Sequence, residues 1–465
     1  GEAHPAREEH DRIIESRYPY YTRAVSAVST AMYGQLPLAI AAARRAVNGL
    51  SVTIDGRCLG QVMTGTQVHT LQLIRSLHAT ERIGLRVITP PDLGDYATQE
   101  LMKMDGIRLI AHTDVHPGMD KADVAHRPYQ VNNPNDLLIL RCAGERQVIT
   151  HQDLIAYRNP GYFQGYPQWE RYQRLTRYAL AVADSVVFFS RHAAQEALRE
   201  DLISPERARV IYIGVDHTSS SKANPQPPDQ GAFLADEQYL LCLGTDFKHK
   251  NRLFALRILQ ALREEHGWQG KLVLAGPHVA EGSSAGEEAA YLATRPELAA
   301  VVVKLPAIGE QQKSWLLEHC TAVLYPTTYE GFGLMPFEAA DHDRPCLFAS
   351  HTALAELLPP ELATLVRWDA LESSRLINAL LARPEAVQRH VRDVRRVAER
   401  LTWESTAISM VDTYWRAAAA PAREATRIAQ ELTLVEAERE ESERKYNELW
   451  QSLTPDGRAL VAPGG

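Results

Sequence analysis

Two glutamates, Glu330 and Glu338, bracket the run Gly331-Phe-Gly-Leu-Met-Pro-Phe337. Paired carboxylates can do acid–base or nucleophilic work at a glycosidic bond, or they can accept hydrogen bonds from sugar hydroxyls. Spacing alone is equally that of a solvated pair, so the surroundings must decide. Far upstream, Lys248-His249-Lys250 follows the apolar run Tyr239 to Leu243, and local basic charge of this kind can hold phosphates even in an acidic chain. A third group with chemical capacity is His151, after the run Gln147 to Thr150, although a lone histidine is more often structural. Five cysteines, Cys58, Cys142, Cys242, Cys320 and Cys346, are scattered without a C-x-x-C pair, which argues against a zinc site and a disulfide framework. No metal site is expected.

The elements around these residues give them context. Short β-rich runs at Ser51 to Asp55, Leu85 to Thr89, Gln147 to Thr150, Ser185 to Phe189 and Arg209 to Ile213 alternate with helical patterns such as Thr66 to Leu77 and Gln168 to Ala183. Residues 217–237 carry Ser-Ser-Ser-Lys and Asn-Pro-Gln-Pro-Pro-Asp-Gln-Gly, a linker composition. The alternation then resumes with strands at Tyr239 to Leu243, Lys271 to Ala275, Val301 to Lys304, Ala322 to Tyr325 and Cys346 to Ala349, and helices at Arg252 to Glu265 and Gln311 to His319. This pattern predicts an α/β chain of two doubly wound, mainly parallel domains. The 330–338 run then falls between the strand ending at Pro326 and a helix starting near Pro336, a residue suited to a first helical turn. Ligands bind at that place in open α/β sheets, and free N–H groups there favour anions. Gly331 and Gly333 would let backbone approach a ligand. Glu330, in the loop, can face the reactive end of a sugar; Glu338, in the helix, can accept from a ribose diol.

Tyr329-Glu-Gly-Phe-Gly-Leu-Met-Pro-Phe-Glu-Ala339 resembles the Glu-x7-Glu signature of retaining glycosyltransferases of the family-4 type, which have the GT-B fold. The resemblance covers roughly residues 50 to 416. It implies two Rossmann-like domains facing a cleft, with Glu330 by the donor sugar, Glu338 on the nucleotide ribose, and the backbone of Gly331, Phe332, Gly333 and Leu334 along sugar and phosphate. Leu243-Gly-Thr-Asp-Phe-Lys-His-Lys-Asn251 resembles the family's Gly-Thr-x-x-x-Arg-Lys-Asn loop, which assigns Gly244, Lys248, His249 and Lys250 to the diphosphate and makes Lys250 the family lysine. His249 stands where the family has arginine, and Lys248 beside it is the other candidate for that charge. Ile54-Asp-Gly-Arg57 with Met63-Thr-Gly-Thr-Gln-Val-His69 resembles the family's first strand and glycine loop, placing Gly65 and Thr66 near the donor; a plain capping loop with Thr64 as cap is the alternative. Val148-Ile-Thr-His-Gln-Asp-Leu154 resembles Val-x-His-Asp-Leu, which puts His151 near the sugar hydroxyls, while the inserted Gln152 displaces Asp153 from the family's aspartate position. His126-Arg127-Pro128 is a weaker candidate for the same cleft. Thr402-Trp-Glu404 resembles the start of the helix that crosses back to the N-terminal domain.

The implied domains are an N-terminal helical extension (1–48), an acceptor domain (49–216), a linker (217–237), a donor domain (238–400), a crossing helix (401–418) and a charged tail (419–465). The implied reaction is retaining, metal-independent transfer of a hexose, with mannose and GDP favoured over UDP-linked sugars, to a glycan or lipid-linked acceptor hydroxyl in polysaccharide or glycoconjugate synthesis; the nucleotide sugar is substrate, and no cofactor is expected. Two alternatives stay open: a non-catalytic nucleotide-sugar binder or scaffold on the same fold, and a retaining glycoside hydrolase, which would have no use for the basic loop. Among 465 residues, 45% are hydrophobic and 23% charged, with a net charge of −8. That balance fits a globular protein and argues against a general nucleic-acid binder. No apolar run reaches the roughly 18 residues of a membrane span, so a cytoplasmic protein is expected, with peripheral membrane contact left open. Residues 421–452 show helical apolar spacing interrupted by charge, readable either as a coiled-coil arm for self-association or as a solvated terminal helix.

Overall fold

The computed structural model describes residues 10, 12–14, 16–32, 35–61, 64–216, 224–420 and 444–445. Two parallel sheets organise the chain. The first has the order β3-β2-β1-β4-β5-β6-β7, with β1 Leu50–Asp55, β2 Ile83–Thr89, β3 Arg108–Ala111, β4 Ala122–Arg127, β5 Gly144–Thr150, β6 Ser185–Phe188 and β7 Ala208–Val210. The second has the order β10-β9-β8-β11-β12, with β8 Tyr239–Leu243, β9 Lys271–Ala275, β10 Val302–Leu305, β11 Ala322–Tyr325 and β12 Cys346–Phe348. Each is a doubly wound sheet covered by helices, so the α/β GT-B architecture expected from the sequence is present.

The central strands are buried on both faces, which is why they read as unbroken apolar runs. Tyr239, Leu240 and Leu241 in β8, and Ala322, Val323 and Leu324 in β11, are each 0% exposed. Two strands escaped the sequence reading. In β4, Ala-Asp-Val-Ala-His-Arg, every polar residue is absorbed by a distant partner: Asp123 accepts from Ser51, His126 binds Tyr414 and Thr150, and Arg127 pairs with Asp55. The other, β3, which among the described residues pairs only with β2, is a four-residue edge strand with one buried side chain. Neither leaves an apolar pattern to find.

The sheet order reverses between β1 and β4 in the first sheet, and between β8 and β11 in the second. Both reversal points open crevices at the carboxyl ends of their strands, where ligands of such folds bind. The chain passes between the two sheets before β8 and returns through the helix Trp403–Ala419, which packs on the helix Gly65–Ala79 and on β4 and β5. Val215 N donates to Leu401 O at 2.8 Å, and Asp216 caps the returning helix by accepting from Trp403 N at 2.9 Å. The helices Tyr21–Met32 and Gln35–Asn48 precede β1. The proposed coiled-coil arm lies outside the described residues apart from 444–445. No described helix is long and apolar enough to cross a membrane.

Candidate functional site

The loops after β8 and β11 flank the reversal point of the second sheet and are bonded to each other. The carbonyl of His249 accepts from Thr328 N at 2.7 Å and from Thr327 Oγ1 at 3.1 Å. Lys250 Nζ then reaches Glu330 Oε1 at 2.7 Å and stands 5.5 Å from the Tyr325 ring centroid. Burial opposes ionisation of Glu330, but the Lys250 ammonium outweighs it and holds the carboxyl below the ordinary range. Glu330 is thus an ionised carboxylate set against Lys250 in the crevice. Gly333 adopts φ +95°, a left-handed conformation that side chains resist, and so turns the loop into the helix Met335–Asp341. Phe332 points inward and is 4% exposed among Tyr212 and Phe337, leaving only its backbone for a ligand.

Glu338 sits in the first turn of that helix. Lys313, from the helix Glu310–His319, bonds its Oε1 at 2.8 Å. Burial disfavours the Lys313 charge, yet Glu338 and Glu310 overcome this and raise its pKa. The other oxygen, Glu338 Oε2, is buried without a hydrogen-bond partner among the described residues. An orphan carboxylate oxygen is costly unless something donates to it. It borders a cavity of about 420 Å³ between the two domains, lined by Gly65 and Thr64 on one side and Lys313, Ser314 and Leu334 on the other. Gly65 opens the helix Gly65–Ala79, ahead of Thr66, and Thr64 is tied there by Gln67, whose Oε1 accepts from Thr64 N at 3.1 Å. Thr64 is thus the helix N-cap, and both it and Gly65 border the cavity.

From the opposite domain, the loop after β5 closes on Gly331. A Cβ on Gly331 would lie 2.5 Å from Gln152 O and 3.2 Å from Asp153 Cβ. His151, 2% exposed, donates its backbone N–H to Val187 O at 2.8 Å. Burial pushes its imidazole down to about 4, so it is neutral at physiological pH, and its Nε2 has no partner among the described residues. Asp153, whose position the inserted Gln152 obscured in the sequence, lies in this loop against Gly331. Its Oδ1 accepts from Ile155 N at 2.9 Å. Burial, reinforced by the nearby Glu330 carboxylate, pushes its pKa up to about 6. The sequence thus hid a second carboxyl across the cleft from Glu330.

His126 does not belong to the cleft. It is fully buried, with Nδ1 2.7 Å from Tyr414 OH and Nε2 2.8 Å from Thr150 Oγ1, and it ties β4 to the returning helix. Arg127 is likewise committed, pairing with Asp55 at 2.6 Å and Asp136 at 2.9 Å, while Arg57 pairs with the same two aspartates. This balanced network braces the reversal point of the first sheet.

The basic loop is less charged than its sequence suggests. Lys248 is half exposed and pairs with Glu287 at 3.1 Å. His249 bonds Tyr162 OH through Nδ1 at 2.7 Å and stacks on Phe247. Burial and the adjacent Lys250 push its imidazole down to about 4. Further bridges between domains come from Tyr329, which donates to Glu196, and from Glu356, whose carboxylate accepts from Arg191 N at 2.8 Å and His192 N at 3.1 Å at a helix start.

Residues 166–410 match a family described as family 4 glycosyltransferase in conflict systems. Over 176 residues the chain is 27% identical to the human alpha-1,3/1,6-mannosyltransferase ALG2; the match spans 36% of this chain and 42% of that protein, less than half of each. Among solved structures, the fold resembles HepE of Anabaena in complex with UDP-glucose (TM-score 0.56, 15% identity, 78% of this chain and 98% of that one). It also resembles sucrose-phosphate synthase of Thermosynechococcus elongatus (TM-score 0.56, 16% identity, covering 79% and 98%). A structure from E. coli described as trehalose-6-phosphate bound with UDP-2-fluoro glucose superposes with a TM-score of 0.58 at 11% identity, covering 80% and 100%.

Proposed function

We propose, from the premise that this chain belongs to the family 4 glycosyltransferases of conflict systems, that it moves a hexose from a nucleoside diphosphate sugar to an acceptor hydroxyl with retention of anomeric configuration. The observation that carries the reading is Glu338: a carboxylate with one oxygen held by Lys313 and the other buried, unpartnered and bordering a nucleoside-sized cavity. A ribose hydroxyl is a donor of the right kind for that oxygen. The sugar then extends toward Glu330, and the diphosphate toward the Lys250 loop.

In the reaction, the bond from the anomeric carbon to the diphosphate breaks while the acceptor oxygen bonds to that carbon on the same face. The acceptor proton passes to the departing phosphate oxygen. Lys250 offsets the charge developing on the diphosphate without any need for a metal. The Glu330 carboxylate stabilises the positive charge that grows on the sugar ring. His151 and Asp153 hold sugar or acceptor hydroxyls from the other domain, and the close fit at Gly331 excludes water. Mannose with a GDP leaving group is the favoured donor. The sequence form of the basic loop supports it, and so does the similarity to a mannosyltransferase.

The test is a screen of purified full chain against UDP- and GDP-linked hexoses, scoring release of nucleotide diphosphate by mass spectrometry, with calorimetry of UDP and GDP alongside. Turnover of GDP-mannose is expected. Binding of neither nucleotide would remove the reading, and binding without turnover of any donor would turn it to a non-catalytic role.

A further inference from the structure

The position that the resembled loop gives to arginine is occupied by a neutral imidazole, and the one neighbouring cation that could replace it, Lys248, is engaged by Glu287. Something else must compensate at a diphosphate, and the hydrogen-bond pattern around His249 shows what. The backbone N–H of His249 can only donate, and it points to the Tyr162 hydroxyl oxygen at 3.2 Å. That oxygen is therefore an acceptor in this bond. Among the described residues the hydroxyl hydrogen of Tyr162 has no acceptor other than His249 Nδ1, 2.7 Å away. A neutral imidazole that accepts at Nδ1 carries its hydrogen on Nε2. Nε2 makes no hydrogen bond to any described residue. The residue next to Lys250 thus keeps an imidazole N–H that no described residue uses.

Tyr162 comes from the N-terminal domain, in the turn Pro160–Tyr162, whereas His249 follows β8. The tyrosine is wedged into the donor domain: its ring lies 5.3 Å from that of Phe247, and a Cβ on Gly282 would approach its Cδ1 to 2.6 Å. The same residue that seats the ring also fixes the imidazole.

We propose that Tyr162 is a positioning residue for donor recognition: from the opposite domain it holds His249 in the Nε2–H tautomer, so that a neutral hydrogen bond to the nucleoside diphosphate takes the place of an arginine's charge. This rests on the donor-site reading of the preceding section. It makes diphosphate binding depend on domain closure, because the hydroxyl and the imidazole belong to different domains and an open cleft leaves the tautomer unset.

The experiment is calorimetric titration of the full chain with UDP and with GDP, in wild type, Tyr162→Phe, His249→Arg and the double variant. In the wild-type background Tyr162→Phe is expected to weaken Kd about tenfold, the scale of one hydrogen bond to a charged group. In the His249→Arg background, where the donor needs no tautomer, the same substitution should change Kd less than about twofold. His249→Gln, whose amide also donates without help, serves as that background if the arginine variant does not fold. A purely structural tyrosine would cost the same in both backgrounds, and that result overturns the proposal, as does an unchanged Kd in Tyr162→Phe. If the wild type binds neither nucleotide, the donor-site reading fails and takes this inference with it; nucleotide binding with equal losses sinks this inference alone.

Discussion

Lys250 Nζ lies 2.7 Å from Glu330 Oε1 across two loops separated by 80 residues in sequence. The pair joins the two crevice-forming loops of the second sheet, and it gives each partner a separate task. Replacing Glu330 by Gln keeps the shape and removes the charge. Turnover is expected to drop about 100-fold, the cost typical of losing one preorganised electrostatic contact to a transition state, with nucleotide Kd changed only a few-fold. Lys250→Ala should harm both quantities. Steady-state kinetics beside calorimetry separates the two effects, and full turnover in the Glu330→Gln variant would refute the assignment.

Glu338 is expected to read the ribose. Glu338→Ala should weaken nucleotide binding about tenfold. A 2′-deoxy nucleotide should lose a similar factor against wild type and almost none against Glu338→Ala, since the partner is already gone. Lys313→Met should have a smaller effect in the same direction, because it frees the carboxylate rather than deleting it.

Gly331 tests the fit between domains. An alanine there would place its Cβ 2.5 Å from Gln152 O, a backbone atom with little room to yield. Gly331→Ala should preserve the melting temperature of the separate folds yet reduce turnover by at least about tenfold, on the scale known for small misplacements at reacting centres. Small-angle scattering should show a wider particle. Unchanged activity would mean that the cleft works without this approach.

Three buried histidines set an acid limit. His126 is pushed down to about 3, and His151 and His249 to about 4, in each case chiefly by burial. Their unfolded value is near 6.5, so between about pH 6.5 and 4 the unfolded chain takes up protons that the folded chain refuses. Their contribution to stability is present above pH 6.5 and lost as pH falls through this window. Asp153, raised to about 6, acts with the opposite sign: its burial costs stability at higher pH, and the cost is relieved on acidification. His390, also lowered by burial, and the lowered carboxyls of Asp55, Asp246 and Glu330 act in the same sense as these histidines, so together they outweigh Asp153 and predict a net fall in melting temperature from pH 7 to pH 4.5. His126→Gln, which can still bond Tyr414 and Thr150, should flatten the curve; an identical slope in the variant would exclude His126 as a source.

What the sequence disclosed was local. The Glu330–Glu338 run sits within one strand, one loop and one helix, so residue type and spacing suffice to find it. The same holds for Lys250 after β8. What remained hidden needs partners far away in the chain. Tyr162 meets His249 across 87 residues, and Lys313 meets Glu338 only because two helices are adjacent. Asp153 looked displaced by Gln152, yet its loop faces Gly331 because the two domains close there. The strand β4 lacked an apolar signature because its polar groups are satisfied from β1, β5 and the returning helix. His126, read as a cleft residue from its neighbours in sequence, is drawn inward by Tyr414, a residue 288 positions away.

The two chain crossings between the domains lie side by side, bound by the Val215–Leu401 hydrogen bond and by Asp216 on Trp403. Two strands fastened together resist twisting about their length while still bending, as a doubled ribbon does. This geometry predicts that the domains swing apart like the covers of a book rather than slide or rotate past each other. Substrates must enter and products leave by the fore-edge, away from this spine, and each closing stroke returns Tyr162, Gln152 and Glu196 to the same partners.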